Sequence, residues 1–259
     1  MIRLAGRLLP LAALLLWEIL CRRGVIDARF LPAPSAILAC LGAPGTAGDL
    51  LAQTSRTLLR TLGGFALGGA AGFGLGLACG AVRSLDAALR PLVEILRPIP
   101  SVAVIPVAVL WLGLGNSLDV VVVAFACSWP VFVAARDAVH AVDPTLCDTA
   151  RLGGLSPGRV FRLVVLPASL PGTITGLRTA LGIAVAVAVS CEMVAGSDGL
   201  GQLALTASYA RQDPLAWLAV LAMGLAGGVC ALGFSLLTRW AQRRRPGLLE
   251  IQPGRGRMP

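Results

Sequence analysis

The sequence predicts an all-α, polytopic transmembrane helical bundle of about six spans, one transmembrane domain covering residues 1–259. Two observations carry this. The chain is 56% hydrophobic and 14% charged, against about 25% charge in soluble domains, so it has too little charge to cover a water-exposed surface. Uncharged runs long enough for a membrane crossing also recur, at 61–82, 98–118 and 214–238, with 120–135 nearly as long. A crossing helix needs about 20 apolar residues. The runs are continuous rather than alternating, which excludes a barrel of strands.

The first span is placed at 6–22. MIRLAGRLLPLAALLLWEILC has the arginines and apolar run of a secretory signal. No A-x-A site follows, and the residues before Cys21 are bulky, so it reads as an uncleaved span with Glu18 near its far end. The second span, 61–82, contains Gly64, Gly68, Gly72, Gly76 and Gly80. Four residues is close to one helical turn, so these glycines form a ridge without side chains that lets another helix approach. Tight packing is the plainer reading of the ridge; a surface on which a neighbour slides is the functional one.

The third span is placed at 98–115. Its start, RPIPSVAVIP, gathers Pro98, Pro100 and Pro106, and proline removes a backbone donor and kinks a helix. A bent or re-entrant start is therefore expected. The remaining spans are placed at 118–136, 172–194 and 214–238. Charge is costly inside a span and faces the bundle or a cavity. Glu192 and Arg178 of the fifth span are thus the candidate pathway or gate residues. Glu192 equally suits a carboxylate capping the loop GSDGLGQ. Arg178 also suits snorkelling to the surface. About 21 Å of helix rise separates them, so they cannot pair within one helix.

All 22 basic residues are arginine. They cluster at the ends of apolar runs, without interleaved aromatics, which excludes nucleic-acid binding. Arg83, Arg90 and Arg97 mark one loop; Arg136, Arg151, Arg159 and Arg162 mark 137–171; and Arg239, Arg243, Arg244 and Arg245 begin a basic tail, 239–259. By the positive-inside rule these segments and both termini face the cytoplasm. Arg22, Arg23, Arg29, Arg56 and Arg60 fall in the segment that this topology places outside and count against it. The triplet Arg243–Arg245 reads as a clamp on anionic lipid. Seven scattered cysteines and one histidine form no metal spacing. No catalytic constellation exists, and a chain without lysine cannot form a P-loop.

The loop 137–171 contains DTARLGGLSPGRVFRLVVLP. Asp148 to Arg151 suggest a short helix with an acid in its first turn, stopped by Gly153-Gly154. An amphipathic run then leads to Leu166-Pro167. The residues alone fit two readings, a helix pressed into a groove of a soluble partner or one lying on lipid.

The spacing resembles the EAA motif of ABC importer permeases: E-A-A, a glycine four positions on, nine residues, then I-x-L-P. Asp148, Thr149 and Ala150 stand at the first three positions, Gly154 at the glycine, Val164 at the isoleucine, and Leu166-Pro167 close the motif. Asp, Thr and Val depart from Glu, Ala and Ile. FLPAPSAI at 30–37, RTLGGFALGGAAGFGLG at 60–76, RPIPSVAVIPVAVLWLGLG at 97–115 and VVLPASLPGTITGLRTALGIAVAVAVSCEMVAGSDGLG at 164–201 are similar to the nitrate, sulfonate and taurine branch. The resemblance puts the core permease region at about 56–240. It implies a coupling loop, with Arg151 and Gly153 beside the motif residues, seated on a cytoplasmic ATPase dimer. It further implies a binding protein outside, a second permease copy, a bacterial inner membrane, and ATP with Mg on the partner rather than on this chain. A stand-alone channel or secondary transporter is the rival reading. It would need facing intramembrane charges.

Overall fold

The computed structural model describes residues 2–244. The tail from Arg245 onward lies outside the described residues, as do the side chains of Arg243 and Arg244, so the expected lipid clamp falls there. The described residues form helices α1 (Ile2–Arg22), α2 (Pro34–Ala39), α3 (Thr46–Ala81), α4 (Arg83–Leu96), α5 (Ile105–Leu112), α6 (Asn116–His140), α7 (Pro144–Leu152), α8 (Pro157–Val160), α9 (Leu166–Ala195), α10 (Leu200–Tyr209) and α11 (Asp213–Arg244). Four helical segments, Thr46–Ala81, Asn116–His140, Pro157–Ala195 and Asp213–Ala241, are long and apolar enough to cross a membrane, or five if a bent pair at 83–112 is one span. α1 covers the predicted first span.

The helices gather into two compact units. The first contains described residues of 2–58 and 189–226. There Glu18 accepts from the Ser35 amide (3.0 Å) and hydroxyl (2.6 Å), tying α1 to α2. Trp17 and Trp217 meet edge to face at 6.3 Å, and the Trp217 indole donates to the Phe30 carbonyl at 3.2 Å.

The second unit contains described residues of 59–188 and 227–244, and the glycine ridge is its spine. A Cβ added at Gly64, Gly68, Gly72, Gly76 or Gly80 would overlap α6, near the carbonyls of Val120, Ala124, Ser128, Phe132 and Arg136 in turn. The sequence offset is constant and both series ascend, so α3 and α6 run parallel in fixed register, backbone against backbone. Such approach brings Cα–H groups to carbonyl oxygens, a weak but repeated attraction. The descending partners of α9 give the opposite result: Gly172 meets Ala138, Gly176 meets Ala134 and the Pro130 carbonyl, and the Cys127 thiol donates to the Ala180 carbonyl. α6 and α9 are antiparallel.

Parallel α3 and α6 require residues 82–115 to cross back. The predicted third span is here, and it is broken rather than a single helix. Arg83–Leu96 and Ser101–Leu112 meet at 87°, around Pro98 and Pro100. A 3₁₀ turn, Ser101–Val104, precedes the eight-residue α5; together they rise only about 20 Å. The flanking residues 98–100 and 113–115 can add up to about 20 Å more.

Three expectations need correction. α3 begins well before residue 61, because Arg56 and Arg60 lie on a helix rather than in a loop. The segment 83–97, read as a loop, is mostly α4. The fifth span does not start near residue 172. Helix runs from Pro157 through a π-helical turn at Phe161–Val165 into α9, so the run does not end at Leu166-Pro167. Pro167 has no amide to give the carbonyl one turn earlier, in Leu163, and the widened turn sits at that place.

Candidate functional site

The 143–167 segment is built by its end groups. The Asp143 side chain caps α7, accepting from the Thr145 amide at 2.8 Å and from the Thr145 hydroxyl. These bonds, the hydroxyl first and then the amide, hold its carboxyl below the usual carboxylate range. Asp148 is therefore not in the first turn; Asp143 takes the helix-starting role. At the other end the Gly154 amide donates to the Arg151 carbonyl (2.9 Å) and the Leu155 amide to the Ala150 carbonyl (3.2 Å). This pair is a Schellman motif. Its left-handed residue is Gly154, at φ +80°, a conformation that costs a residue with a Cβ about 1–2 kcal/mol.

The other loop residues singled out in the sequence lie on α7, in the turn after it and at the entry to α9. Asp148 and Arg151 pair at 2.9 Å, both largely exposed. The Thr149 hydroxyl returns to the Thr145 carbonyl, and the Gly153 amide reaches the Thr149 carbonyl at 3.0 Å. Leu152 is 90% exposed, a large apolar side chain standing free at the tip of α7. Behind α7 a cleft of about 480 Å³ is lined by Gly80 and Ala81 of α3, Val139 and Val142, and Cys147, Asp148 and Arg151. Val164, Leu166 and Pro167 sit half-buried where the π-helical turn enters α9.

Glu192 is fully buried. It accepts from the Thr57 hydroxyl at 2.7 Å and the Gly201 amide at 2.8 Å, and Thr57 in turn accepts from the Leu200 amide at 2.9 Å. Leu200 and Gly201 begin α10, whose first amides have no partner within the helix. Of the two sequence readings, the geometry realises the cap on GSDGLGQ. A Cβ at Gly199 would strike the Glu192 carboxylate, and one at Gly201 would strike the Val189 carbonyl. The neighbouring Asp198 pairs with Arg56 at 2.9 Å. Arg178 is exposed on α9.

Sequence reasoning missed the buried charges of the second unit. Arg60 and Asp119, 9% and 0% exposed in their side chains, pair at 3.2 Å, and Arg60 donates to the Asn116 side chain at 2.8 Å. The signal was there: Arg60 stands one step before Gly64 in the same four-residue series, and Asn116 one step before Val120. Asp119 interrupts two apolar runs. None of the seven cysteines is in a disulfide. Among the described residues, no three His, Cys, Asp or Glu side chains are grouped to hold a metal.

The family described as "Binding-protein-dependent transport system inner membrane component" matches residues 70–245. The putative aliphatic sulfonates transport permease protein SsuC of Escherichia coli (strain K12) is 29% identical over 246 residues, 95% of this chain and 94% of that protein. The taurine transport system permease protein TauC of the same organism is 32% identical, over 82% of this chain and 80% of that protein. Among solved structures, an amino acid ABC transporter chain superposes with TM-score 0.62 at 18% identity, covering 79% of this chain and 98% of that one. A chain of the inward-facing MetNI methionine ABC transporter gives 0.60 at 20% identity, covering 74% and 99%.

Proposed function

The chain belongs to the family of binding-protein-dependent transport system inner-membrane components, and from that premise we propose how its parts divide the work of import. It is a membrane-embedded permease subunit of an ABC importer, a transport component that works with an ATPase and a solute-binding protein. In the proposed cycle the ATPase is a separate cytoplasmic dimer carrying ATP and Mg. α7 seats in its groove, with Leu152 and the Asp148–Gly154 segment as the contact. Two copies of the permease pair in a bacterial inner membrane, both termini cytoplasmic. Closure of the ATPase moves α7, the bundle rocks about a midplane pathway, and each ligand favours one state.

The observation that carries the coupling role is α7 itself. It is fixed at both ends by a cap and a Schellman motif, yet presents an exposed leucine and a solvent-exposed ion pair. On the membrane plane alone such a leucine would lie in lipid; on a partner it fills a pocket. The solute in this reading is a sulfonate, nitrate, taurine or similar small compound, with the relatives' names supporting the sulfonate-bearing ones. For an anion, Arg178 is the pathway residue on α9. Glu192 acts as a gate residue through the placement of α10.

The first experiment is extraction in mild detergent followed by identification of what accompanies the chain. An ATPase present in stoichiometric amount, and lost in Gly154→Trp, supports the coupling role. Full assembly and uptake with Gly154→Trp would sink it. Flux in ATP-free vesicles by the chain alone would favour the stand-alone transporter. Uptake of a labelled sulfonate after reconstitution with ATPase and binding protein, reduced by Arg178→Ala without loss of assembly, tests the solute class.

A further inference from the structure

α4 has no place in the coupling scheme, and none of its residues is buried. Leu92 and Ile95 are 51% and 67% exposed, while Arg83, Asp86, Arg90 and Glu94 follow one another along a polar stripe. The return crossing does not need α4, since the segment from Pro98 to Gly115 can reach through the hydrocarbon layer of about 30 Å by itself. With the 87° bend, α4 is free to lie along the membrane surface with Leu92 and Ile95 toward the acyl chains.

On its polar side, α4 and the end of α6 enclose a cleft of about 580 Å³ lined by Arg83, Asp86, Ala87, Arg90 and His140. The acidic groups are occupied. Arg136 holds Asp86 at 3.6 Å and Asp137 at 3.0 Å. Glu94 takes Arg90 at 3.0 Å, both about two-thirds exposed, and such a surface pair exchanges partners at little cost. Arg83 and His140 have no hydrogen-bond or ion-pair partner among the described residues. A cation without a counter-ion and an exchangeable second cation, on a helix whose opposite face carries exposed Leu92 and Ile95, call for an anion held at the membrane surface.

We infer that this cleft binds the phosphate headgroup of an anionic phospholipid, held by Arg83 and Arg90 beside the coupling loop. Leu92 and Ile95, on the opposite face of α4, set the helix at the membrane surface, so the cleft lies at headgroup level, where the abundant anion is a phospholipid phosphate rather than a soluble one. Arg83 also lines the cleft behind α7, so the headgroup sits next to the segment assigned to the ATPase.

The test uses the full chain alone, in bilayers mixing phosphatidylglycerol and phosphatidylcholine. Retained lipid is read by native mass spectrometry and by spin-labelled lipid. This does not depend on the transport reading. The wild type should retain phosphatidylglycerol preferentially. Arg83→Gln with Arg90→Gln should lower that preference at least about fivefold, the contribution of one arginine near an anionic surface, while the paired lysine substitutions keep it. Because Arg90 is exposed, Arg90→Gln alone gives a second, folded test with a smaller loss. Equal retention of the two lipids, or a preference unmoved by the glutamines, would overturn the inference. So would displacement of the labelled lipid by soluble glycerol phosphate, which would mark a phosphate site rather than a lipid one.

Discussion

Glycine is used for opposite reasons in the α3–α6 interface and in the segment after α7. At Gly64 to Gly80 the backbone is ordinary helix, and the missing side chain is what matters: a Cβ would enter α6. At Gly154 the space is open, with nothing within 4 Å, and the angle matters instead. One region is specified by contact and the other by conformation. The first should therefore respond to volume in proportion to size. The second should respond to any Cβ alike, and mainly in what the loop docks to.

The largest expected effect is at the end of the ladder, where contact becomes charge. Asp119→Ala removes the carboxylate that balances the buried Arg60 charge, and breaking a buried pair this way costs about 3–5 kcal/mol. Thermal unfolding of the detergent-solubilised chain should show it as lost folded yield. If the variant unfolds like the wild type, the ladder does not extend to Arg60. Next is volume: Gly68→Val should cost about 1–3 kcal/mol or more by overpacking. Gly74→Ala on the same helix, with open space around it, should be neutral or stabilise by up to about 1 kcal/mol. Equal effects at the two positions would refute the register. Gly154→Ala comes third. Its stability loss should be about 1–2 kcal/mol, and Gly154→Ser should match it, with ATPase retention falling in both. The smallest effect is pH-dependent and belongs to Asp143. Its carboxyl is held low in the folded state, so its contribution is present above the ordinary carboxylate range and disappears as pH falls through the folded value. Unfolding midpoints of wild type and Asp143→Asn should differ at neutral pH and converge in acid.

Much of this was legible from residue order. The apolar runs located the crossing segments, the prolines at 98 and 100 marked a break, and the four-residue glycine series announced a close helix contact. What hydropathy could not show was helix that continues past charge. Arg56 and Arg60 ended the apolar run but not α3, since backbone hydrogen bonding does not depend on lipid exposure. α4 and α10 escaped for a related reason, being too short or too polar to stand out as spans. The partner of the glycine ridge was illegible, because any of several apolar helices could have supplied carbonyls. Glu192 was half legible: the sequence offered a gate or a cap, and only the positions of Thr57 and Gly201 revealed the cap.

The parallel pairing of α3 and α6 also has a consequence for synthesis. Two helices in a hairpin can associate as soon as the second leaves the ribosome. α3 has no such neighbour, since its in-register partner lies beyond the whole returning segment. At translation rates of about 5–20 residues per second, the interval between Ala81 and Asn116 lasts roughly 2–7 s, and α6 needs further time to emerge. Through that interval the glycine face lacks the in-register backbone it packs against in the folded chain. The order in which this bundle closes is thus set by chain length.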